Sequence, residues 1–356
     1  MRTSDHAGSP AGTASSLIHL GWDDAHEAAF DSLALADATP GRVSRADRGG
    51  AVVYTERGQV RTELDPDLDD TPTTGDWVAV TGGLVVAVLP RRTQITRRDP
   101  NVSTFADQVL AANVDVVAVV HALDRPFRPA RIERTLVVAW ESGAVPAVVL
   151  TKADLADDAD GALAVAQLVS PGVHVVLTSA EDGRGIELLR ATVVAPGRTV
   201  VFLGASGAGK SRLVNALAGR ELQDVGDVRS GDAKGRHTTT TRDLIVLPDG
   251  GVVIDTPGLR ALGLWSGDGG LDRTFPEIEA LAGQCRFRDC SHGPEPGCAV
   301  RAAIDRGDVG ARRLESYRKL QREMEYMSGE KKEHERRAEA RSFNKLVRHH
   351  RDSRPR

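Results

Sequence analysis

The sequence predicts a multidomain protein, with a small β-barrel first, a parallel α/β domain in the middle and a helical domain last. Three observations support this division. Short β-like segments separated by turn residues fill most of the first hundred positions, strands alternate with helices from about residue 113, and helical spacing dominates after Leu271. At 356 residues the chain is long enough for two or three domains.

Composition narrows the class of protein. Lys and Arg number 46 against 50 Asp and Glu, so the net charge of −4 argues against a nucleic-acid binder that is basic throughout. No apolar run approaches the length of a membrane span, and we expect no membrane partner. Residues 1–16 are rich in small and polar residues and lack an apolar signal core, so we expect a disordered lead-in rather than a secretion signal.

Residues 17–100 are predicted to form a closed barrel of the OB type. After an Ala-rich opening segment, β-like runs recur between Gly and Asp/Pro turns. These runs are Ala51–Thr55, Gln59–Leu64, Asp76–Thr81 and Leu84–Leu89. Nearby positive charge, which would suit an oligonucleotide, comes from Arg91, Arg92, Arg97 and Arg98. A purely structural barrel with solvated arginines remains the alternative.

Residues 101–270 are predicted to form a doubly wound parallel sheet, because apolar strands alternate with helices. Predicted strands are Val114–Val120, Val145–Leu150, Val173–Leu177, Thr199–Leu203 and a hairpin of Leu244–Leu247 with Val252–Ile254. Helices are predicted over Arg131–Trp140, from Ile186 and after residue 209. In such sheets ligands bind beyond the carboxyl ends of the strands, and polar clusters occur at these positions.

The most specific motif is a phosphate-binding loop of the form Gly-x4-Gly-Lys-Ser between a strand and a helix. It comprises Gly204, Ala205, Ser206, Gly207, Ala208, Gly209, Lys210 and Ser211, with Arg212 following. Its N–H groups and the helix N-terminus would hold phosphate oxygens. Lys210 would reach the β- and γ-phosphates, and the Ser211 hydroxyl would hold Mg²⁺. A plain tight turn is a poor alternative, given the flanking strand and helix.

A second carboxylate for magnesium is predicted at Asp255, which ends the strand of the hairpin and would act through water. Gly258 offers an unobstructed N–H group to a γ-phosphate. The threonines at 238–241, with Thr239 and Thr240 as candidate magnesium ligands, are predicted to form a switch that orders with a triphosphate. A flexible loop is the alternative reading of the threonines.

Base recognition is assigned to Thr151, Lys152, Ala153 and Asp154, together with Ser179 and Ala180 at the next strand end. A carboxylate at Asp154 can accept hydrogen bonds from N1–H and N2–H₂ of guanine. Adenine offers no such pair of donors, which disfavours an ATPase. The aliphatic stem of Lys152 can lie over the purine. A surface helix cap at Asp154 is the alternative.

A metal site is predicted where all three cysteines of the chain cluster with a histidine: Cys285, Cys290, His292 and Cys298. Three thiolates and an imidazole suit tetrahedral Zn²⁺ and leave no open position, so we expect one structural zinc ion. Such clustering is typical of a reducing cytoplasm rather than of disulfides. Buried, reduced cysteines are the alternative.

These motifs resemble those of Ras-like GTPases in rotated order, which is the pattern of a circularly permuted GTPase. With the barrel in front and the cysteine cluster behind, the chain over residues 17–327 resembles the RsgA (YjeQ) family of ribosome small-subunit-dependent GTPases. The sequence Gly235-Arg236-His237-Thr238-Thr239-Thr240 is especially similar to that family. The resemblance implies GTP and GDP as ligands and binding to the small (30S) ribosomal subunit late in its maturation, with subunit-stimulated hydrolysis.

Two positions depart from GTPases in general. Thr151 stands where Asn is commonest, which leaves open whether the contact that supports the phosphate loop is made. Leu259 stands where Ras-like enzymes have a water-orienting Gln, a replacement that the RsgA family shares. We therefore predict His237 as the water-orienting residue, beside Lys210 and Asp255 in the catalytic set. Packing or an RNA contact is the alternative for His237.

The helical C-terminal domain is predicted over 271–330, with Leu314, Tyr317, Leu320 and Met324 as a core-facing stripe. From 331 to 356 ten Lys or Arg oppose four acidic residues. This basic tail is predicted to contact phosphates of the 16S rRNA and to order on binding. We expect a cytoplasmic monomer. A nucleotide-gated RNA-binding module with negligible hydrolysis remains the main alternative function.

Overall fold

The structure of the chain is a computed structural model that describes residues 17–98, 107–222, 242–255 and 269–328. Several predicted features lie outside these residues: the lead-in at 1–16, His237 with the threonines at 238–241, Gly258 with Leu259, and the tail at 331–356. Within the described ranges, no helix combines the length and the apolar character that a bilayer span requires.

A closed barrel follows the N-terminal segment, with strand order β1-β2-β3-β5-β4. Its strands are β1 (Thr39–Asp47), β2 (Gly50–Thr55), β3 (Gly58–Leu64), β4 (Trp77–Thr81) and β5 (Leu84–Val88). Small branched side chains fill the interior, including the fully buried Val43, Val53 and Val78. The predicted barrel is confirmed, and four of its strands coincide with the predicted runs.

Strand β1 was not predicted, because Pro40, Gly41 and three charged residues obscure its pattern. It pairs with both β2 and β4, with an irregular register between Val43 and Arg45. Pairing along both sides supplies stabilisation that local composition does not reveal, since strand propensity depends strongly on context.

Short elements flank the barrel on both sides. A 3-10 turn (Leu17–Leu20) leads into helix α1 (Asp24–Asp31), and a hairpin of β6 (Gln94–Arg98) and β7 (Asp107–Ala112) leads out of it. Arg42 of β1 ties these parts together, since its buried guanidinium donates to the carbonyls of Gly75 at 3.3 Å, Asn113 at 3.0 Å and Leu20. Burial lowers the pKa of Arg42 to about 10, so the group stays charged at neutral pH.

The central domain is a six-stranded sheet of order β10-β9-β8-β11-β13-β12. Its strands are β8 (Val116–Ala122), β9 (Val145–Thr151), β10 (His174–Leu177), β11 (Thr199–Leu203), β12 (Asp243–Val246) and β13 (Val252–Asp255). All neighbours are parallel except the β12–β13 hairpin. Every residue of β8 and β11 is buried, as expected for central parallel strands covered on both faces.

Helices cover this sheet: α2 (Pro129–Glu141), α3 (Ala159–Val169), α4 (Ile186–Thr192) and α5 (Lys210–Ala218). Three of them match helices predicted from spacing, while α3 was not singled out. The doubly wound parallel architecture is therefore confirmed.

The C-terminal domain is helical, with α6 (Gly270–Thr274), α7 (Pro276–Ala282), α8 (Ala299–Arg306) and a long helix α9 over 311–328. Leu314, Tyr317 and Leu320 of α9 are buried, and Met324 packs against the same core. This hydrophobic core also contains Val137 of α2, so the C-terminal helices and the central domain share one packed interior. The predicted core-facing stripe is confirmed.

Candidate active site and metal cluster

The loops that carry the predicted nucleotide motifs lie along one edge of the central sheet. Strands β8, β9, β10, β11 and β13 run parallel, so their carboxyl ends meet at this edge. The structure thereby brings together the loops at 151–154, 179–180 and 204–211 with Asp255 at the end of β13. In the chain the loop at 151–154, which is predicted to recognise the base and is called the base-recognition loop below, precedes the phosphate loop. The motif order is therefore circularly permuted relative to that of Ras-like GTPases.

The phosphate loop turns sharply between the buried strand β11 and helix α5. A Cβ atom at Gly204 would lie 2.5 Å from the Val120 carbonyl oxygen, so only glycine fits where the loop leaves the sheet. Gly209 has φ of 87° and directly precedes Lys210, the first residue of α5. The helix ends at Gly219, whose backbone lies in the left-handed region that favours glycine.

Lys210 lies across its own loop. Its Nζ donates to the carbonyl oxygens of Gly204 at 2.8 Å and Ala205 at 3.0 Å. Ala208 is buried, whereas Ser211 is half-buried and Arg212 is exposed. Loop amides, an ammonium group and a hydroxyl at a helix N-terminus form a suitable arrangement for polyphosphate.

Thr151 connects the base-recognition loop to the phosphate loop. Its buried hydroxyl donates to the carbonyl oxygen of Ala208 at 2.7 Å and lies 3.5 Å from that of His121. The supporting contact that the Asn-to-Thr departure left open is therefore present.

Lys152 adopts a left-handed conformation, with φ of 59° and ψ of 42°, at the end of β9. Its Nζ lies 2.5 Å from Oδ2 of Asp124, the second residue beyond β8. Burial raises the pKa of Asp124, but hydrogen bonds from Lys152 and Arg125 outweigh this effect, and the net pKa lies below the ordinary value. Asp124 is not among the predicted site residues, although its position just beyond a buried strand is a usable signal in the sequence.

Asp154 and Ala180 are exposed at the same edge, beside the buried Ser179. The N–H of Ala153 donates to the Thr178 carbonyl at 3.1 Å, which joins the two loops. The Ser179 hydroxyl accepts from the N–H groups of Glu181 and Asp182, so it shapes its own turn. Helix α3 is capped by Asp158, which accepts from Gly161 N–H, rather than by Asp154. That observation weighs against the helix-cap alternative for Asp154.

Asp255 is half-buried at the end of β13, directly opposite Asp243 of β12. Burial raises the pKa of Asp255, the positive charge of Lys210 opposes the rise, and Asp243 adds to it. The net pKa lies above the ordinary value. A divalent cation would offset this accumulation of negative charge, so the carboxylate fits the predicted magnesium site.

The four predicted metal ligands converge between α7 and α8. One ligand atom from each of Cys285, Cys290, His292 and Cys298 lies within 4.8 Å of the others. The Sγ atoms of Cys285 and Cys298 are 3.9 Å apart, and each lies 3.6 Å from Nδ1 of His292. A tetrahedral centre with metal–sulfur bonds of about 2.3 Å has ligand–ligand edges of about 3.8 Å. The cluster can therefore hold a metal ion, and its donors fit zinc.

Helix α8 also favours a thiolate in this cluster. Burial raises the pKa of Cys285, but the N–H groups of Ala299 and Val300 in the first turn of α8 lower it, as do the neighbouring thiols. The net pKa lies below the ordinary value. His292 has φ of 58°, a strained backbone conformation that presents its ring to the cysteines.

Comparison with known proteins decides the family. The RsgA GTPase family model matches residues 88–265. A small ribosomal subunit biogenesis GTPase RsgA from Streptomyces coelicolor is 50% identical over 320 residues, covering 87% of each chain. The protein of the same name from Opitutus terrae is 47% identical, covering 87% of this chain and 90% of its own. The chain belongs to the RsgA GTPase family.

Solved structures agree with this assignment. YjeQ from Thermotoga maritima superposes with a TM-score of 0.59 at 29% identity, covering 80% of this chain and 97% of that one. YloQ, described as a circularly permuted GTPase, gives 0.56 at 24% identity, with 84% and 96% coverage, and supports the fold alone. As an RsgA GTPase, the chain is a hydrolase acting on acid anhydrides.

Proposed function

We propose that this GTPase binds the small (30S) ribosomal subunit and acts late in its maturation, hydrolysing GTP to GDP and phosphate with subunit-stimulated activity. The observation that carries the proposal is the hydrogen bond of 2.7 Å from the Thr151 hydroxyl to the Ala208 carbonyl oxygen. It holds the loop at 151–154, which is proposed to bind guanine, against the phosphate loop. The assignment to the small subunit rests on the names of relatives up to 50% identical.

In the proposed complex the base lies against the loops at 151–154 and 179–180. The exposed Asp154 carboxylate accepts from N1–H and N2–H₂ of guanine, and the Lys152 stem covers the purine face. The rest of this part of the site is formed by Thr151, Ala153, Ser179 and Ala180. Their two loops are joined by the contacts already described. Hydrogen bonds to a charged acceptor strengthen discrimination against a base that lacks the donors.

The phosphates lie in the loop from Gly204 to Ser211. On binding, the Lys210 ammonium group leaves the carbonyl oxygens of Gly204 and Ala205 and contacts the β- and γ-phosphates. Ser211 and Asp255 would hold Mg²⁺, which neutralises charge on the phosphate oxygens when bound. Thr239 or Thr240 as a further ligand, and Gly258 as a γ-phosphate contact, are proposed from sequence.

Hydrolysis requires a water positioned in line with the γ-phosphate. The side chain of Leu259 has no polar atom to orient that water, so intrinsic turnover is expected to be low. We assign water orientation to His237, which follows the phosphate loop in sequence and precedes the switch threonines.

The other domains are proposed to attach the GTPase to the small ribosomal subunit. We divide the chain at 17–100, 101–270 and 271–330, with a basic tail at 331–356 that contacts 16S rRNA phosphates. One structural zinc ion bound by the Cys₃His cluster would stabilise the C-terminal domain. The protein is proposed to act as a cytoplasmic monomer.

Two measurements test this function. Co-sedimentation with purified 30S subunits should be strongest with a non-hydrolysable GTP analogue, weaker with GDP and weakest without nucleotide. Phosphate release should rise when subunits are added, and Lys210→Ala should abolish both nucleotide effects. Leu at position 259, in place of the water-orienting Gln, favours the alternative of an RNA-binding module with negligible hydrolysis. That alternative would be established if phosphate release stayed negligible with subunits present while sedimentation still depended on the nucleotide.

A further inference from the structure

Asp124 lies at the nucleotide edge without a role in the motifs described so far. It follows β8 by two positions, and the N–H of Leu123 donates to the Thr151 carbonyl at 2.9 Å. This bond holds the segment after β8 beside the segment after β9. Asp124 and Lys152 are therefore brought together by the pairing of two central strands rather than by closeness in sequence.

The contact between them is short. Lys152 Nζ lies 2.5 Å from Asp124 Oδ2, and each side chain is only 25% exposed. Asp124 also accepts from Arg125 Nε at 3.1 Å, which fixes the carboxylate from its other side. The left-handed backbone of Lys152, stabilised by the Leu155 N–H bond to its carbonyl at 3.0 Å, aims the start of the side chain. Both ends of the Lys152 stem are thus fixed.

A fixed stem matters because of what Lys152 does in the proposed nucleotide complex. Lysine has four rotatable side-chain bonds, and ordering such a side chain on binding lowers affinity. A tether at the ammonium group orders the stem before the base arrives. The aliphatic surface that covers the purine is then already in place.

We propose that Asp124 is a positioning residue for guanine recognition, which acts by holding Lys152 extended across the base site. The inference rests on the proposed function, because it requires the base to lie against Lys152. Asp124 is assigned no contact with the nucleotide, so its effect would reach the ligand only through the lysine.

The test measures equilibrium affinities of the full-length protein for fluorescent GDP and for a fluorescent non-hydrolysable GTP analogue. Asp124→Ala should weaken both by the same factor of about two to ten, the range set by ordering one long side chain. Asp124→Glu should recover much of the affinity, since it keeps the charge. Asp249→Ala is the matched control. Asp249 lies in the turn between β12 and β13, at the opposite edge of the sheet, and forms an ion pair with Arg190 of α4.

A double-mutant cycle identifies the route of the effect. In a Lys152→Ala background, Asp124→Ala should cause no further loss. If Lys152→Ala weakens binding but Asp124→Ala matches the wild type, or if the two losses add in full, the positioning role is wrong. If Lys152→Ala and Asp154→Asn both bind guanine nucleotides like the wild type, the proposed base site itself is wrong. Thermal melting of each variant separates these outcomes from unfolding.

Discussion

The Glu133 carboxylate of α2 accepts a hydrogen bond from Arg313 Nη1 of α9 at 2.8 Å, across 180 positions of sequence. Glu133 is fully buried and also accepts from Arg312 at 2.8 and 3.1 Å and from Ser316 at 2.5 Å. The Arg313 guanidinium further contacts Glu277 at 2.6 Å and lies 4.3 Å from the centre of the Phe275 ring. One buried carboxylate thus joins helix α2 of the central domain to the C-terminal helices.

Replacing Glu133 by Ala should therefore destabilise the junction strongly. Arg313 would lose a partner inside the packed interface, and breaking a buried pair from one side costs about 3–5 kcal/mol. Glu323→Ala is the control, since it removes the half-exposed Arg134–Glu323 pair between the same two helices and should cost at most about 1 kcal/mol. Urea unfolding measures both, and equal losses would show that burial of Glu133 adds nothing.

The same carboxylate predicts a pH dependence. Burial raises the pKa of Glu133, but hydrogen bonds from Arg312, Ser316 and Arg313 outweigh it, and the net pKa lies below the ordinary 4.5. A depressed folded pKa stabilises the fold above pH 4.5, and this contribution is lost as the pH falls through the folded value. The stability difference between wild type and Glu133→Gln should therefore shrink in acid. A difference that stays constant from neutral to acid pH would contradict this.

Thr151 should support nucleotide binding through its hydroxyl. Thr151→Val keeps the shape but leaves the buried Ala208 carbonyl without this donor, at a cost of about 1 kcal/mol, or roughly fivefold in GDP affinity. Thr151→Ser should restore binding because it keeps the hydroxyl. Fluorescence titration with GDP checks both variants. Wild-type affinity in Thr151→Val would mean that other contacts hold the phosphate loop.

Asp154 should select the base. Asp154→Asn replaces an acceptor with an amide donor, so guanine loses a charged partner at a cost of about 1–3 kcal/mol, while xanthine gains a complementary one. Competition between GTP and xanthosine triphosphate should shift toward the latter. A mutant that binds GTP with wild-type affinity would remove Asp154 from base recognition.

The Cys₃His cluster should bind close to one zinc ion per chain. Cys290→Ser should lower the metal content and make the segment 282–303 sensitive to proteolysis, because closed zinc sites supply folding free energy directly. Elemental analysis and limited proteolysis provide the measurements. An equally protected segment in metal-free protein would show that the cluster needs no metal to fold.

Substitutions of Lys210 and His237 should differ in their effects on nucleotide affinity and on the stimulated rate of hydrolysis. Lys210→Ala should reduce both nucleotide affinity and turnover, because the lysine is proposed to contact the β- and γ-phosphates. His237→Ala should keep nucleotide affinity and subunit association but lose most of the stimulated rate, by about 10²-fold. Full stimulated hydrolysis in His237→Ala would assign water orientation to another group, and His237 would return to packing or an RNA contact.

The sequence by itself determined the local chemistry. The phosphate loop, the Thr-Lys-Ala-Asp segment and the Cys₃His cluster each lie within one short stretch of the chain, so the sequence displays them directly. Apolar runs marked the central strands for the same reason, since a strand buried on both faces consists largely of branched side chains. Where the pattern was broken by charges, as in β1, the strand went unrecognised.

Only the tertiary structure decided which distant groups meet. Strand pairing placed Thr151 against Ala208 and Lys152 against Asp124, and helix packing buried Glu133 against Arg313. A charged residue such as Glu133 reads in sequence as part of a solvated helix face. Its burial depends on a partner 180 positions away, because pairing compensates the desolvation of both charges only once the two helices have packed.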